Sequence, residues 1–206
     1  MNEAMFLKMI FDGYVQSYGS FRWHTHHLGA DMTQRELYYF ADLGTKLGFV
    51  SKREHSEIPP LNYHYSSKSN PRDLVWIDQM DNDKIFLHLE RENKSGSAAV
   101  DTVIKENKLK DSARYGDNRY LVGVFGFLQN SALNEIKKEL IECSDFRGRD
   151  ILIIAFCGDK EDHAQDVVGL VYSKSICYER HARAEIDKGG YWYLFFEKGI
   201  SEWQIV

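Results

Sequence analysis

The chain has 206 residues, 43% of them hydrophobic and 14% aromatic, which is enough for one well-buried core and argues against intrinsic disorder. A formal net charge of −5 and a pI near 5.9 argue against a dedicated high-affinity nucleic-acid binder, but leave room for an enzyme that touches nucleic acid transiently. No apolar run reaches membrane-span length, Met1 to Lys8 lacks a signal-peptide pattern, and Cys143, Cys157 and Cys177 form no CxxC unit, so a cytoplasmic, membrane-free protein is expected.

Residues 1–30 are aromatic and poorly periodic, and suggest no element. Thr33 to Leu47 predicts a helix: Thr33 and Glu36 have capping-box spacing, Leu37, Phe40, Leu43 and Leu47 form an apolar stripe, and Gly48 ends it. A short strand is expected from Phe49 to His55, then a loop marked by Pro59, Pro60 and the run from Ser66 to Pro71. Residues 72–93 predict a β-hairpin turning at Asp81 and Asn82. Ser97 opens a second helix over about 98–111, and Tyr120 to Phe125 is an apolar run of strand length. Ser131 is read as the cap of a third helix with Leu133, Ile136, Leu140 and Ile141 as its apolar positions. Ile151 to Phe156 is another buried strand, and Val167 to Tyr172 and Tyr191 to Phe196 are two more, separated by a polar excursion over His181 to Gly190. The basic run Lys105, Lys108, Lys110, Arg114 and Arg119 reads as a solvated helix face.

This order predicts an α/β domain with a mixed central sheet flanked by helices. It is expected to be a single domain over 1–206, with its core at about 31–156 and a C-terminal β extension at about 165–200. The hairpin is its most informative part. Around a turn at Asp81 and Asn82, residues whose numbers sum to 163 lie opposite one another, so Asp78 faces Ile85 and Asp73 faces Glu90. His88, Glu90 and Glu92 then share one sheet face, and Leu87, Leu89 and Arg91 the other. Asp73 and Glu90 become cross-strand neighbours about 5 Å apart at Cβ. Carboxylates gathered this way repel unless a cation joins them, and a divalent cation is the simplest one.

Helix, three-stranded meander, helix, strand, with Pro71-Arg72-Asp73 opening the second strand and Glu90-Arg91-Glu92 on the third, resembles the PD-(D/E)xK nuclease superfamily of restriction endonucleases and archaeal resolvases. The chain departs from that pattern by one residue inserted between Pro71 and Asp73, and by Glu92 where lysine is commonest. The resemblance implies a restriction-endonuclease-like core and hydrolysis of DNA phosphodiesters with Mg²⁺ or Mn²⁺. Asp73, Glu90 and Glu92 would be the metal residues, with the carbonyl of Arg91 as an added ligand. Glu92 would orient the attacking water, Lys94 would stand in for the missing lysine, and Glu36 would supply the carboxylate that the first helix often adds. Family members often dimerise, which makes the aromatic C-terminal strands a candidate homodimer interface.

Other readings stay open. Glu36 is also explained by the capping box alone, and the acids by the wet face of an edge strand. The chain then serves as a binding or scaffold module on the same fold. His24, His26 and His27 offer His-x-His spacing for a histidine-centred metallohydrolase, although no third ligand is evident, and a satisfied surface group accounts for them as well.

Overall fold

The computed structural model describes residues 3–26, 29–55, 72–92, 97–101, 104, 108–115, 118–157, 164–197 and 202–206. The loop expected over 59–71, as well as His27, Asn93 and Lys94, lies outside them. The described helices are α1 (Glu3–Ser17), α2 (Gly29–Lys46), α3 (Ser97–Val100), α4 (Leu109–Tyr115) and α5 (Asn130–Glu142). The strands are β1 (Val50–His55), β2 (Arg72–Asp78), β3 (Lys84–Glu92), β4 (Tyr120–Leu128), β5 (Asp150–Cys157), β6 (Ala164–Ser173), β7 (Ile176–Ile186), β8 (Trp192–Phe195) and β9 (Gln204–Ile205).

The nine strands among the described residues join one mixed sheet in the order β1 to β8, with β9 also pairing β7. β1, β2 and β3 form an antiparallel meander, β3, β4 and β5 run parallel, and β5 to β8 are antiparallel again. The parallel steps require crossovers, which the helical segments before β4 and before β5 supply. Helices cover both faces. On one, Leu74, Leu87, Leu89, Val122 and Ile154 pack with Leu7, Phe11 and Tyr14 of α1 and Leu37 and Phe40 of α2. On the other, Leu121, Ile153 and Leu170 pack with Leu109 of α4 and Leu133, Ile136 and Leu140 of α5. β4 and β5 are therefore apolar on both sides, as their continuous hydrophobic runs require.

Several sequence expectations need correction. Residues 3–17 form a helix that buries Leu7, Ile10, Phe11, Tyr14 and Val15 at helical spacing, while the exposed Met5 and Met9 obscure the stripe. α2 starts at Gly29, so Thr33 and Glu36 lie inside it and form no capping box at its start. Its end is as expected: Gly48 adopts φ 94° and donates to the Thr45 carbonyl. The second helix, expected over 98–111, is seen as α3 and α4 with a bend at Lys108 before α4; residues 102, 103 and 105–107 lie outside the described ones. Gln129, not Ser131, occupies the N-cap of α5, and Ile141 is exposed. Of the polar excursion expected over His181 to Gly190, residues 181–186 belong to the 11-residue strand β7, paired with β6, and only residues 187–190 form the turn to β8.

Candidate functional site

The hairpin register decides where the acids go. Leu74 pairs with Leu89, Val75 with His88 and Trp76 with Leu87, the pairing expected from the sequence. A bulge between Trp76 and Ile77 then shifts the ladder, so Ile77 faces Ile85 and Asp78 faces Lys84, contrary to the expected Asp78–Ile85 pair. The cause is the connection. Asp78 accepts a hydrogen bond from the Met80 amide at 2.9 Å and starts a 3-10 turn over Gln79–Asp81, and Asn82 and Asp83 follow with positive φ. The slip stays on the turn side of Trp76. The far end keeps its register because Leu74, Trp76, Leu87 and Leu89 are all buried on one face.

Continued by one residue, that register sets Asp73 beside Glu90. Asp73 Oδ2 accepts a hydrogen bond from the Arg91 amide at 2.7 Å. Glu90 is 2% exposed, and its Oε1 lies 2.5 Å from His88 Nε2. Its Oε2 lies 2.8 Å from Lys108 Nζ, and the same ammonium stands 3.9 Å from Asp73 Oδ1. A cation does join the two carboxylates, as their crowding demands, and here it is a lysine.

The electrostatics follow from burial. Burial first, then the neighbouring Glu90 charge, raises the Asp73 carboxyl to about 6. Burial also opposes ionisation of Glu90, but the His88 and Lys108 contacts outweigh it and hold that carboxyl below its usual range. Burial keeps His88 below its ordinary value, so a neutral imidazole donates from Nε2 to the Glu90 carboxylate, while its buried Nδ1 has no partner among the described residues. Glu92 adds negative charge felt by both Asp73 and Lys108.

Lys108 is held there against local preference. Its carbonyl accepts the Ser112 amide, which makes it the residue capping α4, where the helix dipole disfavours a cation by about 0.3–1 kcal/mol. It is only 17% exposed, so the expectation that it lies on a solvated helix face is not met. Two features seat it. Glu90 pairs with Gly123 across β3 and β4, and a Cβ at Gly123 would come within 3.0 Å of Leu109 Cδ1, so the glycine lets α4 close onto the sheet beside Glu90. Arg72 donates to Asn118 Oδ1 at 3.1 Å and Asn118 donates to the Ser112 carbonyl at 3.0 Å, tying the start of β2 to α4.

Glu36 is not brought to this site. It reaches the opposite face of the sheet, where it accepts from Arg91 Nε and from the Tyr14 hydroxyl. Arg91 and Glu36 are both buried, so each satisfies the charge of the other; breaking one side of such a pair costs about 3–5 kcal/mol. His24 and His26 are far from being a three-ligand centre among the described residues. The His26 amide donates to His24 Nδ1 at 3.1 Å, and the segment is stitched to the start of β8 through the Trp192 amide and the Trp23 carbonyl at 2.8 Å.

Hard divalent ions take oxygen ligands, and Asp73 Oδ1 and Glu90 Oε2 are two such oxygens directed at one cation. Glu90 Oε2 is buried and, among the described residues, is partnered by the Lys108 ammonium at 2.8 Å without a well-directed hydrogen bond, so a stronger electrophile suits it. The donor chemistry therefore fits Mg²⁺ or Mn²⁺. Among the described residues, however, no group of three or more His, Cys, Asp or Glu side chains is arranged to hold a metal; of the expected trio, Asp73 and Glu90 approach one cation and Glu92 contributes negative charge felt by Asp73. Lys108 and His88 are the site residues that sequence reasoning missed. No local signal pointed to Lys108, because the sequence places it inside a helix over 98–111 and the start of α4 at Leu109 emerges only in the structure.

No helix among the described residues is long and apolar enough to cross a membrane. No protein-family model matches this chain, and no curated protein matches it.

Proposed function

We propose that the chain is a divalent-metal-dependent nuclease that hydrolyses DNA phosphodiesters on a restriction-endonuclease-like core. The observation that carries this reading is the convergence of Asp73 and Glu90, from adjacent strands, on one cation position. The element order supports it: α2, the β1–β2–β3 meander, helices, then β4 parallel to β3. In this reading Asp73 and Glu90 hold Mg²⁺ or Mn²⁺, which would polarise the phosphate and acidify a bound water. The Arg91 amide fixes the Asp73 carboxylate and His88 fixes that of Glu90. Glu92 orients the water, and Lys108 offers the positive charge that the Glu90-Arg91-Glu92 triplet lacks, stabilising the charge that develops on the phosphate.

A second reading has its own support. Both oxygens of Glu90 already have partners, His88 and Lys108, which suits a neutralised core in a binding or scaffold module. Calorimetric titration with Mn²⁺ separates the two. The nuclease reading expects binding that is lost in Asp73→Ala and kept in His24→Ala, together with Mg²⁺-dependent cleavage of DNA. It is abandoned if linear, branched and single-stranded DNA all stay uncut with Mg²⁺ or Mn²⁺ across a broad pH range.

A further inference from the structure

We propose that Lys108 is a resident surrogate for the divalent ion, so that Lys108 must leave the carboxylates before a metal can load. The inference rests on the metal reading above. It starts from charge and space. The ammonium is 2.8 Å from Glu90 Oε2 and 3.9 Å from Asp73 Oδ1, the two oxygens that a metal would take. An ion bound to both at Mg²⁺ or Ca²⁺ ligand distances of about 2.0–2.6 Å would overlap the ammonium. The two cations therefore compete for one position.

The exchange is well matched in charge. Among the described residues, Lys108 sets one positive charge against the two carboxylates of Asp73 and Glu90, whereas a divalent ion balances the pair. Lys108 also has a way out. Its side chain is 17% exposed and Asp73 is 25% exposed, so this end of the cluster reaches solvent while Glu90 stays buried. The helix it caps disfavours a cation there, so among the described residues the carboxylates are what retain it. Once displaced, the ammonium would stay tethered at the edge of the site through α4, as a positive charge available to an anionic ligand. The same residue thus blocks the empty site and serves the loaded one.

The test uses the whole chain and two readouts. In the first, accessible lysines of the wild-type protein are acylated under limiting reagent, and Lys108 modification is followed by peptide mass spectrometry with and without Mg²⁺ or Mn²⁺. Exchange predicts that Lys108 is modified several-fold faster with the metal, while Lys46 and Lys84, both in exposed surface pairs, react at unchanged rates. In the second, calorimetry compares Mn²⁺ binding to wild type and to Lys108→Met, with circular dichroism verifying the fold of the variant. Removal of the competitor predicts an affinity at least about tenfold tighter. Mn²⁺ binding that depends on Asp73 but leaves Lys108 reactivity unchanged, or binding no tighter in folded Lys108→Met, overturns the exchange and leaves the metal reading standing. Absence of Mn²⁺ binding in both proteins overturns the metal reading and the exchange with it.

Discussion

Asp73 shows how one residue registers its surroundings. Its carboxyl is raised to about 6 by burial and by Glu90, above the value of about 4 for an unfolded aspartate. The folded state therefore binds this proton more tightly. The resulting stability is fully present below about pH 4 and is lost as the pH rises through 6. A shift of about two units corresponds to about 3 kcal/mol at most. Asp73→Asn, whose amide oxygen can still accept the Arg91 amide, is thus expected to stabilise the metal-free protein by up to that amount at pH 7.5 and by little at pH 4. Urea denaturation in the presence of a chelator at both pH values measures it, and an equal effect at the two would show that the charge of Asp73 is not the cause. Glu36 carries the opposite lesson. Its spacing from Thr33 reads as a cap and the resemblance makes it a site carboxylate, but the helix begins four residues before Thr33 and Glu36 meets Arg91 away from Asp73 and Glu90.

At the scale of elements, the site depends on how closely α4 approaches the sheet. Gly123 makes that approach possible, since a Cβ there would lie 2.9 Å from Phe125 and 3.0 Å from both Ile153 and Leu109. Gly123→Ala is expected to cost about 1–3 kcal/mol through overpacking and to loosen the Lys108–Glu90 contact. Thermal or chemical denaturation reads the loss; an unchanged midpoint would mean that α4 yields without strain. Among the elements, β2 and β3 were legible because side chains alternate between the two sheet faces every two residues, a period that survives a slip near the turn. α1 was missed because aromatic residues on its buried side and methionines on its exposed side blur the 3.6-residue period. β7 was missed for a different reason. Its residues alternate poorly in polarity, and it is a strand because β6, β8 and β9 supply its hydrogen bonds.

For the whole molecule, the C-terminal strands are part of one sheet rather than an appendage. β5 is buried on both faces and pairs with β6 along seven residue pairs from Ile151 to Cys157. A chain ending at Cys157, which keeps the 31–156 core suggested by the resemblance, would present that apolar strand as an open edge. It is expected to aggregate, with size-exclusion chromatography of the refolded fragment as the measurement; a stable monomer would show that residues 31–156 stand alone. The same sheet separates two charged assemblies that are close in sequence. Glu90 and Arg91 are adjacent, yet one faces Lys108 and the other faces Glu36 across the plane of the strands.

By itself, the sequence determined the α/β class, the buried central strands and the meeting of Asp73 with Glu90. Each of these follows from short-range periodicity, which the chain carries locally. Only the tertiary structure decided what neutralises those carboxylates. Lys108 is 18 residues from Glu90 and 35 from Asp73, in a stretch whose composition reads as solvated surface, and it arrives through a parallel crossover and a glycine that lets α4 close. Charge pairing between elements distant in the chain leaves no local pattern, so the cation at the centre of the site became visible only once the sheet was assembled.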